Sequence, residues 1–370
     1  MSVNKNAELI KKERPRFALI DLFKLICVGF IVIEHVWSIF MNLDSAEGLP
    51  YPFFRFFEVN HTFYWNDAGV WIVIASFFLF GYHGKLNFWR IPAFIAAAIA
   101  TQYNGGDGAP WNYISSYSWG LFSLLFVAYW LLLATDYLPA RFKLGVRLLL
   151  ISIIVVPHSN YDASLYFLPE GILRQALVGS KLWTGAYSGW FLLPWLGVLI
   201  ASHEYGRFAK KYELQFSKFR PVIEIICLLG LVGAFWIFSF GNRGFGWGPY
   251  YNRMVFWAEP LELFAVMIVP FVIFRFALLR AIREKLAPNA IFRFISNLEW
   301  NRHLYLCYVM HLVFLVLILK NVPDETVKEP WFMQSLPLVV FVVTELVVRL
   351  LMYRWNQTLE KIAISAKKTA

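Results

Sequence analysis

The chain has 370 residues, of which 59% are hydrophobic and 16% charged, with a mean hydropathy of +0.55. A soluble domain is nearer half apolar and a quarter charged, so the composition excludes most soluble folds. The net charge of +10 would suggest nucleic acid in a soluble protein; in so apolar a chain it fits basic loops against anionic membrane lipid, and no nucleic-acid partner is expected.

Aromatic residues make up 19%, as expected for rings that face lipid and anchor at its interfaces. The fold class is therefore all-α, a polytopic integral membrane bundle of about ten transmembrane helices, since a span needs about 20 apolar residues. Residues 1–16 are polar and form a cytoplasmic N-terminal segment. The apolar run over 17–41 is too long for a signal-peptide core, so it is the first span. Further spans are expected near 68–82, 91–103, 117–135, 144–157, 183–201, 221–240, 256–276, 303–320 and 332–353. A single transmembrane domain thus covers 17–353, followed by a cytoplasmic tail over 354–370. No internal repeat is visible. Cys27, Cys227 and Cys307 all sit in apolar runs and read as buried small hydrophobes without disulfide or zinc spacing.

Orientation follows from the basic residues. Segments 1–16, 83–90, 136–147, 202–220, 277–302 and 354–370 hold 24 Lys and Arg, and the alternate segments hold 6. Basic loops stay cytoplasmic, so both termini are expected inside, in a multi-pass membrane protein. The long outer loops are then 42–67 and 158–182, where an acceptor would bind or where the chain is simply a solvated connector.

The first span carries Asp21, Lys24, Glu34 and His35. An ionisable group inside a span costs about 2.5–3.5 kcal/mol on insertion scales and faces a bundle interior or a wet cavity. Lys24 and His35 are eleven residues apart, which on a helix brings them within about 20° of one line, with Asp21 within about 60°. At about 1.5 Å per residue they stand about 16 Å apart along the axis, Lys24 in the inner half and His35 in the outer half. A cation there meets an anionic, nucleotide-like donor. A histidine takes a proton from an acceptor hydroxyl or amine, with Glu34 beside it to tune it. The plainer reading is a snorkelling Lys24 paired with Asp21, and a structural hydrogen bond for His35.

The run Ile20-Asp21-Leu22-Phe23-Lys24, with His35 in register, resembles the first-span motif of membrane acyltransferases. These include the acyltransferase-3 family, the glucan-modifying succinyltransferases, the TraX pilin acetylases and the heparan glucosaminide acetyltransferases. Most relatives carry Arg where this chain has Lys24, and Lys followed by an acidic-His pair is most similar to the TraX branch. Leu193-Pro194-Trp195-Leu196-Gly197-Val198 resembles the Pro-Trp-Leu-Gly span of the heparan group. Leu304-Tyr305-Leu306-Cys307-Tyr308-Val309-Met310-His311 resembles the late Tyr-Leu-x-His span of the acyltransferase-3 proteins. The resemblance implies a cytoplasmic acyl-CoA co-substrate, usually acetyl-CoA, with no permanently bound cofactor and no metal. It implies transfer to a surface polysaccharide, a lipid-linked glycan or a pilin. Lys24, with Asp21 beside it, would hold the donor and His35 would be the essential histidine; separately, His83 and Lys85 follow the second span on the expected inner face, beside the donor entrance. Lys lacks the bidentate phosphate fork of Arg, so the donor contact would differ.

His311, in the ninth span, is a candidate partner for the first-span site, or else an ordinary interhelical hydrogen bond. Asp67, Arg243 and Arg253 are candidate acceptor contacts on the outer face. The glycine-rich stretch 241–248 follows a span and reads as a flexible loop rather than a dinucleotide fingerprint. Pro260 is placed to open the eighth span. Glu345 and Arg349, four apart, are expected to neutralise each other, and Glu224 has no assignable partner. His203, Arg207, Lys210 and Lys211 read as a basic loop facing lipid headgroups. Two other classes remain open on the residues alone. One is a transporter or flippase for a lipid-linked sugar, which should show repeats. The other is a polyprenyl-phosphate-dependent glycosyltransferase, which would favour Asp67, Arg243 and Arg253 over Lys24.

Overall fold

A computed structural model describes residues 17–41, 65–84, 86, 88, 90–101, 121–156, 177, 192–240, 260–327 and 329–369. Every element among them is helical, so the fold is all-α. The described part of each of the ten apolar runs falls mainly on a helix: α1 (Ala18–Met41), α2 (Trp65–His83), α3 (Arg90–Thr101), α4 (Leu121–Asp136), α5 (Ala140–Ser152), α6 (Leu192–Lys211), α8 (Pro221–Phe240), α9 (Pro260–Leu278), α13 (Leu304–Asn321) and α15 (Pro330–Thr369). Short helices α7 (Glu213–Phe216), α10 (Arg280–Leu286), α11 (Ala290–Asn297), α12 (Glu299–Arg302) and α14 (Asp324–Val327) lie between them. Proline opens α8, α9 and α15; at the first helical position its missing N–H leaves nothing unpaired and its φ is already helical. The Asn289 side chain caps α11, its oxygen accepting from the Ile291 amide at 2.9 Å.

One stretch of α15, Gln334–Ile362, is long and apolar enough by itself to cross a membrane. The α9 segment Leu263–Leu278 and α10 qualify together but meet at a 77° bend. Shorter apolar stretches lie at Ala68–His83, Phe122–Asp136, Pro221–Ala234 and Leu304–Leu315.

Helix α1 occupies the middle, packed on α2, α9, α11, α12, α13 and α15. Helices α2 and α6 form the most extensive pair, and two glycines make their closeness possible. A Cβ on Gly81 would lie 1.9 Å from the His203 carbonyl oxygen, and one on Gly206 would lie 2.1 Å from that of Phe78. Each glycine thus receives the other helix's backbone. Gly81→Ala is expected to destabilise the protein by about 1–3 kcal/mol or more, because backbone must move. Thermal unfolding in detergent checks this, with Gly145→Ala as the control: no atom lies within 4 Å of its added methyl.

Charge is handled inside the bundle. Arg147 is completely buried. Its guanidinium donates to Thr135 Oγ1 (3.0 Å), Glu204 Oε1 (2.5 Å), Asp136 Oδ1 (2.9 Å) and the Leu132 carbonyl (3.1 Å), tying α4, α5 and α6 together. Arg275 of α9 donates to Glu224 of α8 at 2.5 Å and to the carbonyls of Lys218 and Phe216, which supplies the partner the sequence could not assign. Glu345 does pair with Arg349 at 2.6 Å. Its other oxygen accepts from the amides of Glu299 (2.8 Å) and Trp300 (3.3 Å), at the start of α12.

Some boundaries differ from expectation. The basic stretch expected as a lipid-facing loop is helical: α6 continues to Lys211, and His203 is buried. Its charges are paired within the protein, Arg207 with Glu204 and Lys210 with Glu213. Burial pushes the Glu213 carboxyl up, but hydrogen bonds from Lys210 and Arg283 outweigh it and hold it at about 2. Residues 354–369, expected as a tail, continue α15. Asp67, expected in a loop, lies in the first turn of α2. The cysteines are unbridged, with Cys27 and Cys307 buried and Cys227 half-buried.

Candidate active site

The polar stripe of α1 meets partners at two levels. At the first level Lys24 is buried. Its ammonium lies 3.2 Å from Asp21 Oδ1, one helical turn back, and donates to the Asn301 carbonyl at 3.2 Å. An ammonium has three N–H donors, so these two contacts leave one. Asn301 belongs to α12 and is anchored by its own side chain, whose Nδ2 donates to the Ile295 carbonyl at 2.9 Å.

Beside Lys24 lies a cavity of about 370 Å³, lined among others by Ser76, Arg90, Phe94, Asn301 and Tyr305. That is within the usual size range for small-ligand sites. Arg302 and His303 add further basic groups to its wall. The Arg90 guanidinium sits 4.3 Å above the Phe80 ring, and among the described residues its Nη1 has no hydrogen-bond partner. Neither has Asn301 Oδ1. Buried polar atoms are nearly always paired, so unpaired ones on a cavity wall point to a ligand.

At the second level His35 meets α13. His35 Nδ1 and His311 Nε2 are 2.7 Å apart, with ring planes only 6° from parallel. Two zinc-bound imidazole nitrogens would stand about 3.3 Å apart, given tetrahedral geometry and Zn–N bonds of about 2.0–2.1 Å. The shorter distance is that of a hydrogen bond between the two rings. His311 is fully buried, and its Nδ1 lies 3.4 Å from the Cys307 carbonyl. Tyr308 stands edge-on to both rings, at 5.7 Å from His35 and 5.1 Å from His311. Aromatic contacts connect the two levels: Phe94 meets Tyr305 at 5.2 Å, and Phe122 meets both Tyr305 (6.1 Å) and Tyr308 (5.5 Å). A wall of rings thus runs from the cavity to the histidine pair.

Of the residues singled out from sequence, the structure brings together Asp21 with Lys24, and His35 with His311. The side chains of Glu34 and Asp67, and the whole of Lys85, Arg243 and Arg253, lie outside the described residues, as does the glycine-rich stretch. The Leu193–Val198 patch lies at the start of α6, with Trp195 and Leu196 buried, and α6 packs most extensively on α2. Sequence reasoning missed Arg90, Asn301 and His303 as cavity residues. Arg90 carried a signal, a cation at the first position of an apolar helix. Nothing in the sequence marks Asn301, whose part depends on the fold of α12. Searches against models of protein families, curated proteins and solved structures find no match to the chain.

Proposed function

We propose that this protein is a multi-pass membrane acyltransferase that moves an acyl group, with acetyl the first to test, from cytoplasmic acyl-CoA to an acceptor hydroxyl or amine. The acceptor belongs to a surface glycan, a lipid-linked glycan or a pilin. The observation that carries the reading is the single stripe on α1. It holds Lys24 beside a cationic cavity and, about 16 Å farther along the axis, His35 against His311.

The membrane part rests on where polarity lies. Charged side chains are buried, as with Lys24, Arg147, Glu224 and Arg275. Large apolar ones face outward along whole helices, as with Val222, Ile225, Ile226, Leu229 and Val232 of α8 and Leu338, Leu346 and Leu350 of α15. A soluble protein seldom exposes such patches, whereas hydrocarbon makes them costless. The ten apolar helices and the basic-inside count together favour ten spans with both termini cytoplasmic.

Lys24 and the cavity's other cations receive the donor's phosphates, which are fully charged at neutral pH. A thioester carbonyl is already reactive, so the protein's work is to align donor and acceptor. His35 removes the acceptor's proton as attack proceeds, and the aromatic wall keeps water from the thioester.

Titration of acetyl-CoA into the protein in lipid nanodiscs, followed by calorimetry, tests the donor side. Saturable binding is expected, weakened about tenfold or more by Lys24→Ala, since a hydrogen bond to a charged group contributes about 1.5–3 kcal/mol. A folded sample that binds no acetyl-CoA would overturn the reading.

A further inference from the structure

We infer that His311 is a positioning residue that fixes the tautomer of His35, so that His35 receives the acceptor's proton on Nε2. The assignment of tautomer rests on geometry alone; its catalytic meaning rests on the acyltransferase reading above.

The argument begins at the Cys307 carbonyl, which can only accept a hydrogen bond. It faces His311 Nδ1 at 3.4 Å, so that nitrogen carries the hydrogen. A neutral imidazole has one N–H, which leaves a lone pair on His311 Nε2. That lone pair is 2.7 Å from His35 Nδ1, so His35 Nδ1 is the donor. The single hydrogen of neutral His35 is therefore on Nδ1, and its Nε2 is the basic atom. The opposite arrangement would set the His311 Nδ1 lone pair against a carbonyl oxygen. It would also place the His35 hydrogen on Nε2, leaving that atom no lone pair for a substrate.

The His311 ring is held where this works. It is fully buried, with Tyr308 on one side and Trp300 at 5.8 Å. Trp300 is itself fixed, stacked on Phe341 at 5.2 Å and 9°, with its Nε1 donating to the Phe341 carbonyl at 3.2 Å. Partners of this kind around a reacting histidine set its tautomer and ring orientation.

The transfer balances in two steps. As the acceptor oxygen or nitrogen forms its bond to the acyl carbon, its proton passes to His35 Nε2. The imidazolium so formed keeps its Nδ1–H on His311 Nε2. When the C–S bond breaks, the departing CoA thiolate takes the proton from Nε2, and His35 is neutral again. His311 stays neutral throughout.

Magic-angle-spinning NMR of histidine-labelled protein in bilayers reads the tautomer without requiring activity. The chain has 7 histidines, and the His35 signals are those lost in His35→Gln. The expected result is a protonated Nδ1 and an unprotonated Nε2 on His35, with hydrogen moving to Nε2 in His311→Ala. His311→Gln, whose amide oxygen can accept from His35 Nδ1, is expected to restore the original form. In parallel, His311→Ala should lower kcat about 10- to 100-fold with KM for acetyl-CoA unchanged, by analogy with the loss on removing a hydrogen-bond partner that orients a metal-bound histidine, and His311→Gln should recover part of it. A His35 hydrogen on Nε2 in the unaltered protein, or a tautomer indifferent to His311→Ala, would overturn the inference. The expected tautomer in a protein that neither binds nor turns over acetyl-CoA would instead sustain the positioning and overturn the acyltransferase reading.

Discussion

His35→Ala is expected to lower acyl transfer about 10²–10⁴-fold, the usual contribution of general acid–base catalysis, while acetyl-CoA binds as before. The two parts separate because His35 and Lys24 are about three helical turns apart, and the proposed donor cavity is lined from the Lys24 end. The variant should still fold. Removing the imidazole deprives buried His311 of one hydrogen bond, a cost of about 1–3 kcal/mol, against a total stability of about 5–15 kcal/mol for a typical domain. Transfer in nanodiscs, calorimetry with acetyl-CoA and thermal unfolding should be measured on one sample. Unchanged transfer would remove His35 from the chemistry. Lost binding together with lost transfer would point to a packing role instead.

The largest loss of stability is expected from Arg147→Met. Four acceptors, three on α4 and one on α6, converge on this guanidinium of α5. Removing one partner of a buried ion pair costs about 3–5 kcal/mol, because the charge left behind is uncompensated. Glu204 keeps contacts to Arg207 and His203, which places the expected loss toward the lower end. Arg147→Lys should fall between, since an ammonium cannot reproduce the planar fork. By contrast Arg349→Ala, at a half-exposed partner of Glu345, should change stability by well under about 1 kcal/mol. Thermal unfolding of the three variants in one detergent ranks them. Arg147→Met and Arg349→Ala equal in effect would show that the inner ion cluster does not hold α4, α5 and α6 together.

The sequence disclosed what is local. Apolar runs located ten of the helices, because period and composition act within one segment, and among the described residues one of them, α15, is long and apolar enough by itself to cross a membrane. The Asp21–Lys24 pair was visible because three residues make one helical turn. The union of His35 with His311 joins residues 276 apart, and no spacing rule reaches that far; only the shared presence of histidine in two apolar helices hinted at it. The stretch 202–220 read as a loop because its charges lower its hydropathy. It is helical because Glu204 and Glu213 neutralise Arg207 and Lys210 within the protein. Short helices α10, α11 and α12 were invisible for the same reason. With α12 went Asn301 and the inner wall of the cavity. Arg147 counted as a cytoplasmic loop charge, and burial alone reveals it as a tie between helices.

The offset between Lys24 and His35 also acts as a ruler. Under the proposed reading, the charged end of the donor is held at one level of α1 and its carbonyl is consumed at another. Charge alone then does not make a substrate, because the linker between phosphate and acyl group must span the gap. A long, flexible arm such as pantetheine spans it. A donor whose acyl group sits directly on its phosphate, as in acetyl phosphate, would occupy the cavity and leave its carbonyl out of reach of His35. Donor selection would thus be a matter of length before it is one of recognition.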